Sequence, residues 1–250
     1  MNAAMARYPG LPIPQELRPE APRKDNLVNE ALQAYRALLV EFPILEVRAG
    51  YAEWSEFSRI ANQRLTTVLN PAELNIFIHQ VCRPELNLKY RGPAITSLIH
   101  AAYASRKREF EIIIPPDLFV NHLGGKLQGS PHQPYVVRIN GDGTYNAFFG
   151  AQYIDGIIRG DANGLPAHFL RKSRLEIIGN ADFCAGNADD CTIRIHGNAA
   201  HLGNNAQRCS FEVYTKKAYE NTRGNPLSRT NCKVKLLQNG TNKILEESKC

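Results

Sequence analysis

Aspartate and histidine side chains gather between residues 182 and 201 of this 250-residue chain, and these residue types are suited to acid–base chemistry. The candidates are Asp182, Asp189, Asp190, His196 and His201. A general acid or base must lie within hydrogen-bond reach of the proton it moves, and a carboxylate commonly orients the catalytic imidazole. The five residues therefore predict an active site only if the fold brings an aspartate against a histidine.

Six cysteines form a second set of chemically reactive side chains. They are Cys82, Cys184, Cys191, Cys209, Cys232 and Cys250. Because no Cys-x-x-Cys pair and no Cys/His spacing typical of zinc is present, we predict neither a metal site nor a cofactor. The first 25 residues lack the apolar segment of a secretory signal, which favours a cytoplasmic protein with reduced thiols.

The overall charge is mildly basic, with 30 Lys and Arg residues against 24 Asp and Glu residues, a net charge of +6. The excess is spread along the chain, which is typical of an ordinary solvated surface and gives only weak support for nucleic-acid binding. The chain contains no run of 18 apolar residues, so a membrane-spanning helix is not expected and no membrane partner is predicted.

The elements that must position these side chains are repeated in the second half of the chain. Four segments share alternating apolar residues followed by Gly-Asp or Gly-Asn: 137–142, 156–161, 175–180 and 193–198. Their glycines are Gly141, Gly160, Gly179 and Gly197, at spacings of 19, 19 and 18 residues. This period leaves no room for a helix in each repeat. It predicts a right-handed parallel β-helix over residues 135–237, with one coil of about 18–19 residues per repeat.

Aligning the repeats predicts which residues face the core. The first inward column is Val137, Gly156, Leu175, Ile193, Phe211 and Val234, and the second is Ile139, Ile158, Ile177, Ile195, Val213 and Leu236. The outward column between them is Glu176, Arg194, Glu212 and Lys235. Equivalent residues of stacked coils lie about 4.8 Å apart, and opposite charges are favoured at neighbouring outward positions.

Three of the cysteines share one position of the coil, just before the first inward column. Cys191, Cys209 and Cys232 are therefore predicted to be buried, reduced and packed as small apolar residues. A metal site and a disulfide between stacked coils remain as alternatives, because α-carbons this close meet the distance requirement for a disulfide.

The first half of the chain has helical periodicity, which together with the β-helix predicts an α+β fold. Helices are expected over about 26–42, 52–67, 71–83 and from residue 93, followed by a strand over 110–114. The expected organisation is a leader over 1–25 that is extended or disordered, a mainly helical domain over 26–134, the β-helix over 135–237, and a C-terminal tail over 238–250 without a strand. The glycine-rich segment 124–130 is interpreted as a linker.

Three coils carry a related motif at their turns. The motif is found at 160–164 (GDANG), at 179–186 (GNADFCAG) and at 197–203 (GNAAHLG). It resembles the G-D-A-G-x-x-x-G repeat of the GxGxG β-solenoid domains, a family that includes the C-terminal domain of the glutamate synthase large subunit and one of the subunits of formylmethanofuran dehydrogenase. The resemblance covers about residues 135–237. It implies a right-handed β-helix that serves as a scaffold for catalytic partners, and it implies no catalytic residues.

Three functions are open from the sequence. The favoured hypothesis is a structural scaffold or protein-interaction subunit that docks on an enzyme complex. The first alternative is an enzyme with its site on the solenoid turns, although Asp190 falls in register with Arg208, which predicts an ion pair there. The second alternative is a nucleic-acid-binding protein, suggested by the net charge of +6. Identifying whether a protein or RNA copurifies with the chain distinguishes these hypotheses.

Overall fold

The helical segment precedes the β-structure, as predicted. The computed structural model describes residues 26–42, 51–81, 90–116, 118–224, 229–238 and 243–249. Its first four helices are α1 (Asn26–Glu41), α2 (Tyr51–Arg64), α3 (Pro71–Val81) and α4 (Arg91–Ala104). Helix α3 begins with a reciprocal cap: the Asn70 side chain accepts a hydrogen bond from the Glu73 amide at 2.9 Å, and Glu73 accepts one from the Asn70 amide at 2.7 Å. Asp25 and Pro43, which flank the predicted helix over 26–42, lie outside the described residues.

The described residues that follow α4 form a β-solenoid together with one later helix, which confirms the predicted α+β fold class. The strands of its larger sheet are β1 (Glu109–Ile113), β3 (Tyr135–Asn140), β5 (Ile154–Arg159), β7 (Arg174–Ile178), β9 (Thr192–Ile195), β11 (Ser210–Val213), β12 (Lys233–Leu237) and β13 (Ile244–Lys249), in that spatial order. The smaller sheet contains β2 (Val120–Asn121), β4 (Thr144–Tyr145), β6 (Ala162–Asn163), β8 (Ala181–Cys184) and β10 (Ala199–Leu202). Both sheets are parallel except where β13 pairs with β12. The right-handed sense of the coil stays a prediction.

The register of the larger sheet confirms the predicted columns. Ile195 pairs with Ile177 on one side and with Val213 on the other, and all three side chains are fully buried. On the outward side, Arg194 pairs with Glu176 and Glu212. The apolar alternation of the sequence therefore specifies the register, because a slip of one residue would expose every inward side chain.

Each turn contains a glycine followed by an aspartate or an asparagine, and these two positions are required for different physical reasons. A Cβ atom on Gly197 would lie 2.4 Å from the carbonyl oxygen of Gly179, so only glycine fits where successive coils approach this closely. The side chain of Asn180 accepts a hydrogen bond from the amide of Asn198 at 2.9 Å, and that of Asp161 accepts one from the amide of Asn180 at 2.8 Å. These side-chain oxygens thus provide hydrogen-bond acceptors for backbone amides at the turns, which lie outside the strands.

The parallel ladder begins earlier than the repeat that the sequence displays. Strand β1 pairs in parallel with β3, with Phe110 opposite Val137 and Ile112 opposite Ile139. Gln128 forms a parallel bridge to Gln152 on the third side of the solenoid. The glycine-rich segment 124–130 is therefore part of the first coil, and its interpretation as a linker is wrong.

The C-terminal segment also contains structure that the sequence did not predict. Residues Ile244–Lys249 form β13, an antiparallel strand on β12, with Glu247 opposite Lys235. The expectation that the tail 238–250 contains no strand is therefore wrong. Its side chains, which include the exposed Ile244 and Leu245, form no inward apolar column, because β13 lies beyond the last complete coil.

Helices cover the core where the solenoid begins. The side chain of Asn75 on α3 donates to the carbonyl of Glu111 at 2.9 Å and accepts from the amide of Ile113 at 2.9 Å, so it pairs with the edge of β1 as another strand would. The buried apolar residues of the helices and of the solenoid form one continuous core. At the other end, Asn221 of helix α5 (Lys216–Gly224) donates to the carbonyl of Ala199 on β10 at 3.1 Å.

The cysteine column is buried and reduced, as predicted. Cys191, Cys209 and Cys232 are each at most 3% exposed, and each is a free cysteine. The backbone amide of Cys209 donates to the sulfur of Cys232 at 3.4 Å. A hydrogen bond from the thiol of Cys209 holds the pKa of Cys191 below its ordinary value. The three thiols therefore pack against each other along the solenoid axis without a covalent bond.

Candidate functional site

The five aspartates and histidines proposed for acid–base chemistry lie on different sides of the solenoid. Asp189 and Asp190 pair with Arg208, at 2.5 Å and 3.3 Å, at one turn. His196 follows β9 in the larger sheet, whereas His201 lies on β10 in the smaller one. The side chain of Asp182 lies outside the described part of the structure. The fold therefore does not bring these described side chains together, and the single active site considered from the sequence is not formed by them.

His196 contacts a carboxylate that the sequence argument did not assign to it. Its Nε2 atom lies 2.7 Å from Glu176 Oε1, and its ring stacks on Tyr214 with centroids 4.2 Å apart. The hydrogen bond from His196 lowers the pKa of Glu176 below its ordinary value, against the opposing effect of burial. In the same region Glu212 accepts hydrogen bonds from Arg194 and Lys235, at 2.7 Å and 3.4 Å. Glu212 therefore forms ion pairs with Arg194 and Lys235, and the hydrogen bond between His196 and Glu176 lies beside them on the outer face of the sheet.

The outer side of the smaller sheet has a different character, because large apolar side chains are exposed on successive coils. We call this set the apolar row, and its members are Phe119, Tyr145, Leu165 and Phe183. Their exposed fractions are 50%, 38%, 38% and 53%. The ring centroids of Phe119 and Tyr145 lie 5.8 Å apart. Exposed apolar residues that are contiguous in this way are characteristic of interaction surfaces, whereas scattered ones are not.

The local backbone explains why these side chains point outward. Thr144 and Ala162 occupy the inward positions of β4 and β6, so the residues next to them face away from the core. Tyr145 then lies over Gly164 of the next coil, where a Cβ atom would come within 2.6 Å of the tyrosine ring. Leu165 follows at once, and its amide donates to the side chain of Asn146 at 2.8 Å. The turn thus holds Leu165 at the surface.

A cleft of about 300 Å³ opens at one end of the apolar row. It is lined by Leu165, His168, Phe183, Cys184, Gly186, His201 and Asn204. The rings of Phe183 and His201 stack on each other, with centroids 4.5 Å apart and planes at 17°. No aspartate, glutamate, lysine or arginine is among these lining residues, so the polar groups of the cleft are imidazole rings and an amide.

Burial keeps the imidazole of His168 uncharged at neutral pH. Removal from water lowers its pKa below the ordinary value of histidine, and its ring stacks against Phe149 with centroids 5.8 Å apart. Its Nδ1 atom is buried and has no hydrogen-bond partner among the residues that the structure describes. The cleft therefore presents a mainly apolar surface that contains a few polar side chains, which is the usual character of a small-molecule or side-chain binding site.

The residues of the cleft were found only in part from the sequence. The sequence predicts His201 as a candidate for acid–base chemistry but assigns no site role to Leu165, His168 or Phe183. The available signal was that Leu165 follows Gly164 in a turn and that Phe183 lies in β8 between the small buried residues Ala181 and Cys184. Because turns of a solenoid lie on the surface, such residues predict exposed apolar side chains.

Among the described residues, no group of three or more histidine, cysteine, aspartate or glutamate side chains is arranged to hold a metal ion. Every helix in the described ranges is too short or too polar to traverse a lipid bilayer. Comparison of the chain with protein-family models, curated proteins and solved structures finds no match.

Proposed function

We propose that this chain is a scaffold or protein-interaction subunit that docks a protein partner on the apolar row. The observation that carries the proposal is the exposure of Phe119, Tyr145, Leu165 and Phe183 on successive coils of one face. A solenoid supports such a surface well, because the backbone of each coil is hydrogen-bonded to its neighbours and the row is held rigid before binding. The resemblance of the turns to the GxGxG solenoid domains supports the same function.

The two alternatives are less well supported by the described geometry. An enzyme on the solenoid turns requires a convergent set of catalytic groups, and the described candidates Asp189, Asp190, His196 and His201 are divided among separate turns and sheets. Nucleic-acid binding requires cationic side chains along the phosphate path, and none lines the cleft beside the row. We further propose a cytoplasmic location, because the four described free cysteines are all buried and need no oxidising compartment.

Purification of the complex tests the proposal. The affinity-tagged chain is isolated from its native cells, the retained protein is identified, and the complex is rebuilt from the two purified components. The double variant Phe119→Ser/Phe183→Ser is compared with Val40→Ser/Ile76→Ser. In the control pair, the replaced residues are 80% and 43% exposed on α1 and α3. Because all four side chains are exposed, both double variants are expected to fold, which circular dichroism and thermal unfolding check.

The row variant is expected to weaken the rebuilt complex about tenfold or more, because removing buried aromatic anchors typically costs more than about 1 kcal/mol each. The helix variant is expected to retain the affinity of the natural chain. Equal affinity of the row variant and the natural chain, or the retention of RNA in place of a protein, would contradict the proposal.

A further inference from the structure

Helices cover three of the four outer strands of the two sheets, which are β1, β13, β2 and β10. The side chain of Asn75 on α3 bonds to the edge of β1, and that of Asn221 on α5 bonds to the edge of β10. Helix α4 packs directly against β2, because a Cβ atom on Gly92 would lie 1.8 Å from the carbonyl oxygen of Asn121. A covered edge is protected from pairing with a strand of another chain.

The fourth outer strand, β13, has an open edge. It pairs with β12 on one side, and no described strand pairs with it on the other. Five of its six residues are exposed, and they include Ile244 at 47% and Leu245 at 54%. The strand therefore presents backbone hydrogen-bonding groups together with exposed apolar side chains, and both are covered when another strand is added to a sheet.

The charges along the larger sheet indicate what kind of strand fits this edge. Its outward column alternates in charge from one strand to the next, and the last five members are Glu176, Arg194, Glu212, Lys235 and Glu247. Lys235 lies between two glutamates and forms an ion pair with Glu212 at 3.4 Å. Glu247 ends the column, so a basic residue on an added strand would continue the alternation.

The neighbouring glutamate has the same requirement on the other side of the strand. Glu246 lies opposite Leu236, whose side chain is buried, so Glu246 and Glu247 point to opposite faces of β13. Both are exposed, and neither forms an ion pair with another residue that the structure describes. Two consecutive basic residues on an added strand would therefore pair with both carboxylates at once.

A second copy of β13 fits this edge poorly. Full antiparallel pairing of Ile244–Lys249 with its own copy places Glu246 opposite Glu247. A shift of one residue in either direction places Glu246 opposite Glu246 or Glu247 opposite Glu247. Because like charges directly opposite each other are unfavourable, these glutamates oppose self-pairing and favour a basic strand of another protein.

We propose that β13 binds an extended segment of a protein partner as an additional strand, and that this segment carries two consecutive lysine or arginine residues opposite Glu246 and Glu247. Backbone hydrogen bonds along the edge supply affinity, and the two basic residues select the partner. Apolar residues beside the basic pair cover Ile244 and Leu245. This site lies at the end of the solenoid and is independent of the apolar row, so it goes beyond the function proposed above.

Three short peptides test the proposal on the full-length, ¹⁵N-labelled protein. Thr-Val-Lys-Lys-Val-Thr, which has the same order of residues in both directions, is expected to cause saturable shifts in the amide signals of Glu246, Glu247 and Ser248. Thr-Val-Glu-Glu-Val-Thr is expected to leave them unchanged. Thr-Pro-Lys-Lys-Pro-Thr keeps the charge but cannot pair as a strand, and it is also expected to cause no saturable shifts. Equal binding of the two lysine peptides, or no binding of the first, overturns the proposal.

A charge reversal on β13 tests the selection of the partner. Glu246→Lys/Glu247→Lys is expected to weaken binding of the basic valine peptide about tenfold or more and to bind the acidic one in its place. The control Glu30→Lys/Glu109→Lys reverses two exposed glutamates of α1 and β1, changes the net charge equally, and is expected to retain the preference for the basic peptide. Circular dichroism checks that both variants fold. Equal weakening by both variants would mean that overall charge, and not β13, determines binding, and this outcome overturns the proposal.

Sedimentation distinguishes the proposed occupant from a second copy of the chain. The oligomeric state of the natural chain is expected to be the same with and without the basic valine peptide. A dimer that this peptide dissociates would show that a second copy occupies the edge of β13, and the proposal of a basic partner would be wrong.

Discussion

Trp54 and His122 join the helical segment to the solenoid, with their ring centroids 4.3 Å apart at an angle of 31°. Lys126 strengthens this contact from the next turn: its Nζ atom lies 4.9 Å from the centre of the Trp54 ring and donates to the hydroxyl of Ser55 at 2.7 Å. Burial and the nearby charge of Lys126 lower the pKa of His122 to about 4. The attachment of α2 therefore depends on an uncharged imidazole.

This dependence predicts a loss of stability in acid. Because the pKa of His122 is about 4 in the folded chain and 6.5 is its ordinary value, the unfolded state binds the proton more tightly. The contribution of His122 is complete above about pH 6.5 and is lost as the pH falls toward 4. It amounts to at most about 3 kcal/mol, and urea unfolding as a function of pH measures it.

The matched variant is His122→Phe, which keeps an aromatic ring under Trp54 but cannot be protonated. Its unfolding free energy is expected to vary less between about pH 6.5 and pH 4 than that of the natural chain. The pH dependence of the unfolding free energy that remains in this variant includes a contribution from His168, whose pKa is also lowered by burial. A slope identical to that of the natural chain would show that His122 does not control the acid sensitivity.

Substitutions at adjacent inward and outward positions of β9 are expected to lower the free energy of unfolding by very different amounts. Ile195 is fully buried between Ile177 and Val213, so Ile195→Ala is expected to cost about 2–5 kcal/mol in unfolding free energy. Arg194→Ala removes a partly exposed ion pair to Glu212 and is expected to cost about 1 kcal/mol or less. Lys235 continues to pair with Glu212 in that variant. Urea unfolding compares the two, and equal losses would contradict the assigned register.

The glycine column predicts that a single methyl group disturbs the stacking of coils. In Gly197→Ala the new Cβ atom would lie 2.4 Å from the Gly179 carbonyl oxygen, and the rigid ladder limits how far the two coils can separate. A loss of about 1–3 kcal/mol or more is expected. Asn198→Ala, at the neighbouring exposed residue, is the control and is expected to cost less. Thermal unfolding measures both, and a stable Gly197→Ala variant would mean that the coils tolerate this displacement.

The cysteine column predicts slow chemical modification. Cys191, Cys209 and Cys232 are each at most 3% exposed, so an alkylating reagent should modify them slowly in the folded protein and rapidly in urea. Mass spectrometry of the digested protein follows each cysteine separately. Cys184, which is fully buried and whose pKa is raised to about 12 by burial, serves as an internal reference for protection. Rapid modification of all three column cysteines before unfolding would refute their burial.

The repeated part of the fold could be predicted from the sequence because the spacing of the repeats along the chain specifies the register of the strands. Each inward residue, such as Ile177 or Ile195, recurs at a nearly constant spacing, so the pairing of strands follows from simple alignment. The first coil was missed although Phe110-Glu111-Ile112 resembles Phe211-Glu212-Val213, because it is longer than the others and pairs Phe110 with Val137, 27 residues away. The antiparallel strand β13 carries no repeat and forms only because β12 offers it an edge.

The solenoid, its inward columns and the burial of the cysteines are predictable from the sequence, because these features depend on residue type and period alone. The contacts between side chains of different coils, and between helix and solenoid, are seen only in the folded chain. His196 contacts Glu176 and not one of the nearby aspartates, and Trp54 contacts His122 from a helix 68 residues earlier. Such contacts depend on the length of each turn and on the rotamer of each side chain. Neither is specified by the repeat, so the candidate site became visible only in the folded chain.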